Sequence, residues 1–339
     1  MKFDYIIGNP PYQGEGKGNK TYAPPRYHEF MNAAYALSDK VELITPARFL
    51  FDAGSTPKKW NQKMLNDEHL KVERYESDAS QIFPDTDIKG GVAITYRDAT
   101  SDFGAIGVFT VYDTLNAILR KVQKKMDHDL SEIVANRGVY RFSSLIYKEH
   151  PNEMKRISDS RVLSNAFDRF PEFFYAQKPN DSHKYVSFLG KSSTSRVNRW
   201  LRRDYIASTN NLDKFKVLVP KANGSGAFGE TLSSPTIGEP DTAFTETFIS
   251  IGTFDKRDDA EAVLKYIKSK FARTMLDSLK ITQDNTRPTW RLVPLQDFTS
   301  ESDIDWSKSI KDIDQQLYKK YDLDENEIEF IETHVKEMN

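Results

Sequence analysis

The chain has no cysteine among its 339 residues. This excludes disulfides, thiolate metal sites and a cysteine nucleophile, and it fits a reducing cytoplasm. No stretch approaches the roughly 18 consecutive apolar residues that a membrane-spanning helix needs. No signal peptide precedes the first apolar run, so a cytoplasmic protein with no membrane partner is expected. Internal repeats and long low-complexity tracts are lacking, and no convincing nuclease-type cluster of acidic residues and lysine stands out. Strong net charge is missing too: 48 basic against 50 acidic residues leaves −2.

That near-neutral total hides an uneven distribution. From Lys191 to Lys221 there are eight basic and two acidic residues, a balance of +6. From Asp297 to Asn339 thirteen acidic and five basic residues give −8. A basic middle followed by an acidic tail suits a chain with one face toward nucleic acid. The basic residues nominated for DNA contact are Lys191, Arg196, Arg199, Arg202, Arg203 and Lys221. The competing reading of Arg199 to Arg203 is a solvated helix face.

Hydrophobic periodicity divides the chain into three stretches: 1–128, 129–298 and 299–339. The first alternates strand-like and helix-like segments. FDYIIG reads as a short buried strand, YHEFMNAAYALS as a helix, KVELIT as a strand and KMLNDEHL as a helix. KVERYE and GGVAITYRDA follow as strands, and LNAILRKVQKK closes the stretch as a helix. This rhythm predicts an α/β layer with much of its sheet parallel. The second stretch offers the strand candidates VSFLG, FKVLV, TFISIG and WRLVP and one long amphipathic helix over 258–280, as in a mixed α+β domain. The tail reads as two helices, with Asp324 and Glu327 spaced as a capping box.

At the end of FDYIIG stands Asn9-Pro10-Pro11-Tyr12. Gly8 permits a sharp turn, and two prolines fix their own φ and cannot continue a sheet ladder. The outcome is a stiff loop at a strand's carboxyl end, where open α/β sheets bind ligands. Such a loop presents a side-chain amide, free carbonyls and one aromatic face at set separations. These groups suit a planar ring that carries an amino group.

With this motif the chain resembles the amino-methyltransferases that carry NPPY and act on adenine in DNA or on glutamine in protein. LITPARFLF (43–51), the stretch from Gln81-Ile82-Phe83-Pro84 to Gly90-Gly91-Val92, and the tail from TRPTWRLVPLQDF onward are similar to later elements of one branch. That branch is the Eco57I-like DNA adenine methyltransferases of restriction–modification systems. The resemblance implies a partial Rossmann-like methyltransferase sheet, then a target-recognition domain over 129–298 and a helical tail. It implies S-adenosylmethionine as cofactor, double-stranded DNA as partner and no metal. It maps catalysis to Asn9, Pro10, Pro11 and Tyr12: the Asn9 oxygen and Pro10 carbonyl would accept from the adenine amino group, and Tyr12 would stack on the base. A paired base is out of reach of such a loop, so the base must be everted. Phe83, by resemblance to an FP pair in related enzymes, is nominated as the second stacking aromatic. The loop 14–25 is expected to be mobile and ordered by DNA, with Lys17 and Lys20 as candidates to meet phosphate.

One departure from the family pattern matters. The methyl-donor motif normally precedes NPPY, and only eight residues stand before it here. Gly224-Ser225-Gly226-Ala227-Phe228-Gly229 matches GxGxxG, but ETLSSPTIGEPD after it has no helical period, so a cofactor role is rejected. The expectation is a chain that needs an amino-terminal half or a second polypeptide for activity. Two alternatives stand beside it: a non-catalytic DNA-binding specificity fragment, and a protein glutamine methyltransferase.

Overall fold

The computed structural model describes residues 3–14, 23–84, 88–136, 138–193, 195–222, 227–279 and 284–338. Two compact units divide the chain, Met1–Arg120 and Lys121–Asn339. Among the described residues, no helix is long and apolar enough to cross a membrane.

The first unit contains β1 (Ile6–Gly8), α1 (Tyr27–Leu37), β2 (Lys40–Pro46), α2 (Lys58–Leu65), β3 (Leu70–Glu76), β4 (Val92–Asp98) and the start of α3 (Asp113–Lys124). Its four-stranded sheet has the order β1-β2-β4-β3. β1 pairs parallel with β2, while β4 runs antiparallel to both β2 and β3. β1, β2 and β3 therefore point the same way, with β4 inserted against them. The α/β class stands, but only one of the three ladders is parallel. The connection from β3 to β4 holds only a turn of 3-10 helix, too little for the crossover a parallel neighbour requires.

Local chemistry explains these elements. Tyr27 and Met31, four residues apart on α1, are buried beside Val41 and Leu43 of β2 in one cluster with Phe49 and Trp60. Phe49 and Trp60 have ring centroids 5.3 Å apart, and the Trp60 indole N–H donates to Asn32 at 3.0 Å. Gly91 opens β4 at φ 73°, where a Cβ would fall 2.2 Å from the Glu76 carbonyl oxygen. Only glycine fits there.

β1 departs from expectation. It covers only Ile6–Gly8, and it is not buried: Ile7 is 73% exposed and Phe3 45%. It is an edge strand, and among the described residues nothing pairs with its outer side. The helix read over 63–70 begins earlier, at Lys58, and ends at Leu65.

The second unit holds short helices α4 (Ser144–Glu149), α5 (Pro151–Met154) and α6 (Ala166–Arg169), and then two three-stranded sheets. β5 (Tyr185–Ser192) and β6 (Ser195–Arg202) form a hairpin, with β9 (Thr242–Phe244) parallel to β5. β7 (Phe215–Pro220) lies between β8 (Thr236–Gly238) and β10 (Phe248–Phe254). The core is rich in rings, including Tyr140, Phe170, Phe188 and Phe244. Arg199 to Arg202 thus belong to a strand, not a helix face, because the β-branched and aromatic alternation of the hairpin outweighs the local helix propensity of arginine. WRLVP is likewise no strand: Trp290 ends the 3-10 turn Arg287–Trp290, turns follow, and Pro294 makes an isolated bridge to Asp129.

The single helix expected over 258–280 is two, α7 (Arg257–Lys268) and α8 (Lys270–Ser278). Ser269 breaks it by capping α8, its hydroxyl accepting from Ala272 N–H at 3.1 Å. The Asp314 carboxylate, on α9 (Ile310–Lys320), accepts from the free N–H groups of Lys270 and Phe271 at 3.0 and 2.9 Å. α10 (Glu325–His334) starts with the capping box read from the sequence.

Burial pushes the Asp314 carboxyl up to about 6, with the Phe271 and Lys270 N–H groups pulling it part of the way back. The folded protein therefore binds this proton more tightly than the unfolded chain, whose carboxyl titrates near 4. Its contribution to stability is full below about pH 4 and is lost as pH rises through about 6. The stability difference between wild type and Asp314→Asn should fall by about 2 kcal/mol from pH 4 to 6.5 in urea titrations. A difference that does not change with pH would rule out this titration.

Candidate active-site corner and a groove in the second unit

The carboxyl ends of β1, β2 and β3 bring three separate sequence segments to one end of the first sheet. β1 leads into Asn9–Tyr12, β2 ends at Pro46 and enters the 3-10 turn Ala47–Phe51, and β3 leads through a turn at Ala79–Gln81 to Phe83. The corner is tied at both ends. Upstream, β1 pairs with β2 from Ile6↔Val41 to Gly8↔Leu43. Downstream, Arg26 N–H donates to the Tyr12 carbonyl at 3.0 Å and Gly14 N–H to the Pro24 carbonyl at 2.9 Å.

Asn9 is exposed. Among the described residues, neither its side-chain amide nor the Pro10 carbonyl has a hydrogen-bond partner. Tyr12 turns inward and packs on the core of the unit. Its hydroxyl is buried without a partner, and burial pushes its pKa up to about 12. Thr45 Oγ1, next to Pro46, and His28 Nδ1 are also buried and unpartnered. A buried polar atom left unpaired costs on the order of 1–3 kcal/mol.

Tyr12 and Phe83 do come together, with ring centroids 6.4 Å apart. Their planes meet at 69°, edge to face. They do not form the parallel pair that would sandwich a flat ring, because the Tyr12 hydroxyl end is sunk in the core. Sequence reasoning passed over Arg48, which follows Pro46-Ala47. It donates to the Lys89 carbonyl and would collide with any Cβ at Gly90, so it joins the end of β2 to the loop before β4. The signal was the pair of glycines at positive φ, which is legible only once their neighbour is known. Lys17 and Lys20 lie outside the described residues.

In the second unit the six basic candidates separate. Lys191, Arg196 and Lys221 line one open groove of about 660 Å3, together with Asn165, Asp168 and Phe248. Arg202 is instead engaged by the Asp204 carboxylate, Glu149 and Tyr205. Arg203 bridges Asp213 and Asp241. Among the described residues, Arg199 donates to the neighbouring Asn198 carbonyl alone. Arg196 is partly committed as well: its guanidinium donates to the Ser233 and Ser234 carbonyls and lies 5.5 Å from the Phe248 ring centre. For Lys191 and Lys221 no side-chain partner is present among the described residues. Asp168 was not nominated, since a lone aspartate carries no signal in sequence.

The GxGxxG match is described only in its second half. Residues 224–226 lie outside the described residues, and Gly229 at φ 80° presses against the carboxyl-terminal tail, where a Cβ would sit 2.0 Å from the His334 carbonyl oxygen. Its N–H donates to Asp277 and its carbonyl accepts from Lys336 N–H at 3.0 Å.

Known proteins bear on the first unit. Residues 1–83 match the family described as Eco57I restriction-modification methylase. A curated relative from Mycoplasma pneumoniae, described as an uncharacterized adenine-specific methylase, is 32% identical over 99 residues, covering 27% of this chain and 22% of that protein. The chain thus matches over about a fifth of that relative's length. The Eco57I-like resemblance read from the sequence is borne out over residues 1–83. Two solved structures superpose at a TM-score of 0.28 each: the type IIG restriction endonuclease BpuSI, at 10% identity over 85% of this chain and 44% of that one, and the type IIL restriction-modification enzyme MmeI in complex with DNA, at 9% over 85% and 45%. Superpositions that loose carry no argument here.

The orphaned Tyr12 hydroxyl yields a stability test. Tyr12→Phe should leave unfolding free energy unchanged or raise it by up to about 1 kcal/mol, whereas Tyr12→Ala should cost about 3 kcal/mol. A loss above about 1 kcal/mol in Tyr12→Phe would mean the hydroxyl has a partner in solution.

Proposed function

We propose that the chain carries the base-binding corner and the target-recognition unit of an S-adenosylmethionine-dependent DNA adenine methyltransferase from a restriction–modification system. The observation that carries this reading is the pair of unused acceptors, Asn9 Oδ1 and the Pro10 carbonyl, on a proline-stiffened corner beside Tyr12 and Phe83. The family match over residues 1–83 supports it.

The chemistry follows from the acceptor pair. The lone pair of an aromatic amine is delocalised into its ring, which makes it a poor nucleophile. Two acceptors that bind both N–H hydrogens draw the nitrogen toward a tetrahedral geometry and free that pair. Pro10 and Pro11 hold the acceptors in place before the base arrives, so the ordering cost falls on the folded protein and not on the reaction. Tyr12 and Phe83 provide apolar surface for an everted base, worth about 1–3 kcal/mol per stacked base. For the base to lie flat on Tyr12, Phe83 has to leave its edge-on position. Pro11 acts through the backbone alone.

The methyl donor supplies an electrophilic methyl group when bound. Gly229 is spent on the tail, and among the described residues none is assigned to hold the donor, so a further segment or a second polypeptide is proposed for that role. The open edge of β1, with Ile7 73% exposed, supports an added strand there. In the second unit Lys191 and Lys221 are the ammonium groups proposed to meet duplex DNA, with Arg196 beside them.

Asn9 is exposed, so Asn9→Ala should leave thermal unfolding within about 0.5 kcal/mol of wild type. In cells expressing the intact polypeptide, the same change should lower N6-methyladenine at the target sites by about 100-fold or more, as expected for loss of one positioned polar group. Activity retained above about a tenth of wild type would sink the assignment.

A further inference from the structure

The segment joining β7 to β8, residues 221–235, borders the groove at Lys221 and Ala222 on one side and at Ser233 on the other. Over residues 227–235 two arginines bind the backbone, and Phe228 packs against Phe330 with ring centroids 6.0 Å apart. Arg196 fastens the Ser233 and Ser234 carbonyls, as described above. At the other end stands Arg273 of α8, which is 1% exposed. All three nitrogens of its guanidinium donate to backbone carbonyls: Nε to Lys268 at 3.1 Å, Nη1 to Glu230 at 3.2 Å, and Nη2 to Lys336. Asp277, four residues along α8, takes the Gly229 N–H at 2.9 Å. Lys336 N–H closes the arrangement on the Gly229 carbonyl. Residues 229–230 are thus clasped between a buried guanidinium and the last turn of chain after α10.

A buried arginine is a costly way to hold two loops together. Burial disfavours its charge, and indeed pulls its pKa below the usual arginine value. A well-packed apolar side chain at this point would fill the core without that cost. What the guanidinium adds is geometry: its rigid fork sets three carbonyls in one plane. The joint is therefore specified in position more than it is stabilised.

We propose that Arg273 and the tail residues 334–336 form a clasp that sets the position of residues 229–234, and through Ser233 one wall of the groove proposed to meet DNA. Arg273 and Arg196 are positioning residues, acting on the two ends of one segment, and neither guanidinium needs to touch the nucleic acid. The inference rests on the proposed DNA-binding role of the groove.

The test uses the full chain, with Lys336→Pro as the principal variant. This change deletes one N–H and leaves the core side chains in place. Val335, at φ −107° and ψ 120°, already has the backbone that a following proline requires. Arg273→Gln, Arg196→Gln and the Lys336→Pro/Arg196→Gln double variant complete the set. Amide exchange across 227–234 should rise about 10-fold in Lys336→Pro, with α8 unchanged. Anisotropy on a pool of random-sequence duplexes should show binding weakened about 3- to 10-fold in Lys336→Pro and in Arg196→Gln. The double variant should lose less than the product of the two, because each single change already frees the same segment. Faster exchange with DNA binding unchanged, or losses that multiply, would overturn the proposal. Should Arg273→Gln fail to fold, Lys336→Pro decides alone. A wild-type chain that binds no duplex would overturn the DNA-binding reading of the groove first, with the clasp still visible in the exchange data but stripped of its role.

Discussion

The candidate site hangs on a parallel ladder three residues long. Ile6, Ile7 and Gly8 pair with Val41, Glu42 and Leu43, and β1 has no second neighbour among the described residues. So short an edge strand contributes few hydrogen bonds and little buried area. What makes the corner after it definite is stiffness supplied from elsewhere: two prolines with fixed φ, and the backbone bonds from Arg26 and Gly14 that anchor the chain beyond Tyr12. The acceptors of Asn9 and Pro10 are therefore oriented by the unfolded chain's lack of alternatives as much as by packing. A corner held in this way can leave polar atoms unpaired.

The second unit treats its arginines in the opposite manner. Arg202, Arg203 and Arg273 are saturated by carboxylates or carbonyls, because a guanidinium near a ring-rich core is tolerated only when its donors are satisfied. The lysines at the groove, Lys191 and Lys221, have no side-chain partner among the described residues. Charge available to an anionic partner is thus much smaller than the +6 counted along the sequence. The acidic tail has an equally internal use: Glu327 caps α10 and accepts from Lys121 at 2.6 Å, and Asp314 caps α8.

Much of this could be read without coordinates, where the determining forces are local. The helix at 27–37, the strands at 40–46, 70–76 and 92–98, and the capping box at Asp324 and Glu327 all follow from periodicity and cap chemistry over a few residues. The failures share a cause. Ser269 splits an apolar stripe that continues across it, because a carboxylate 45 residues away offers the new helix end its acceptors. β4 inserts against its neighbours because of how the sheet closes, a matter of order in space and not of any residue's preference.

By itself the sequence determined the chemical character of the corner: an amide, two prolines and a tyrosine at the end of a strand, a pattern whose meaning lies in covalent geometry. Family likeness also nominated Phe83 as a companion of Tyr12. Only the tertiary structure decided that the two rings meet edge to face, that four of six basic residues have internal partners, and that Gly229 is pressed against the tail. Those outcomes depend on which atoms are brought near one another across long stretches of chain, and burial and pairing energies are properties of such neighbours.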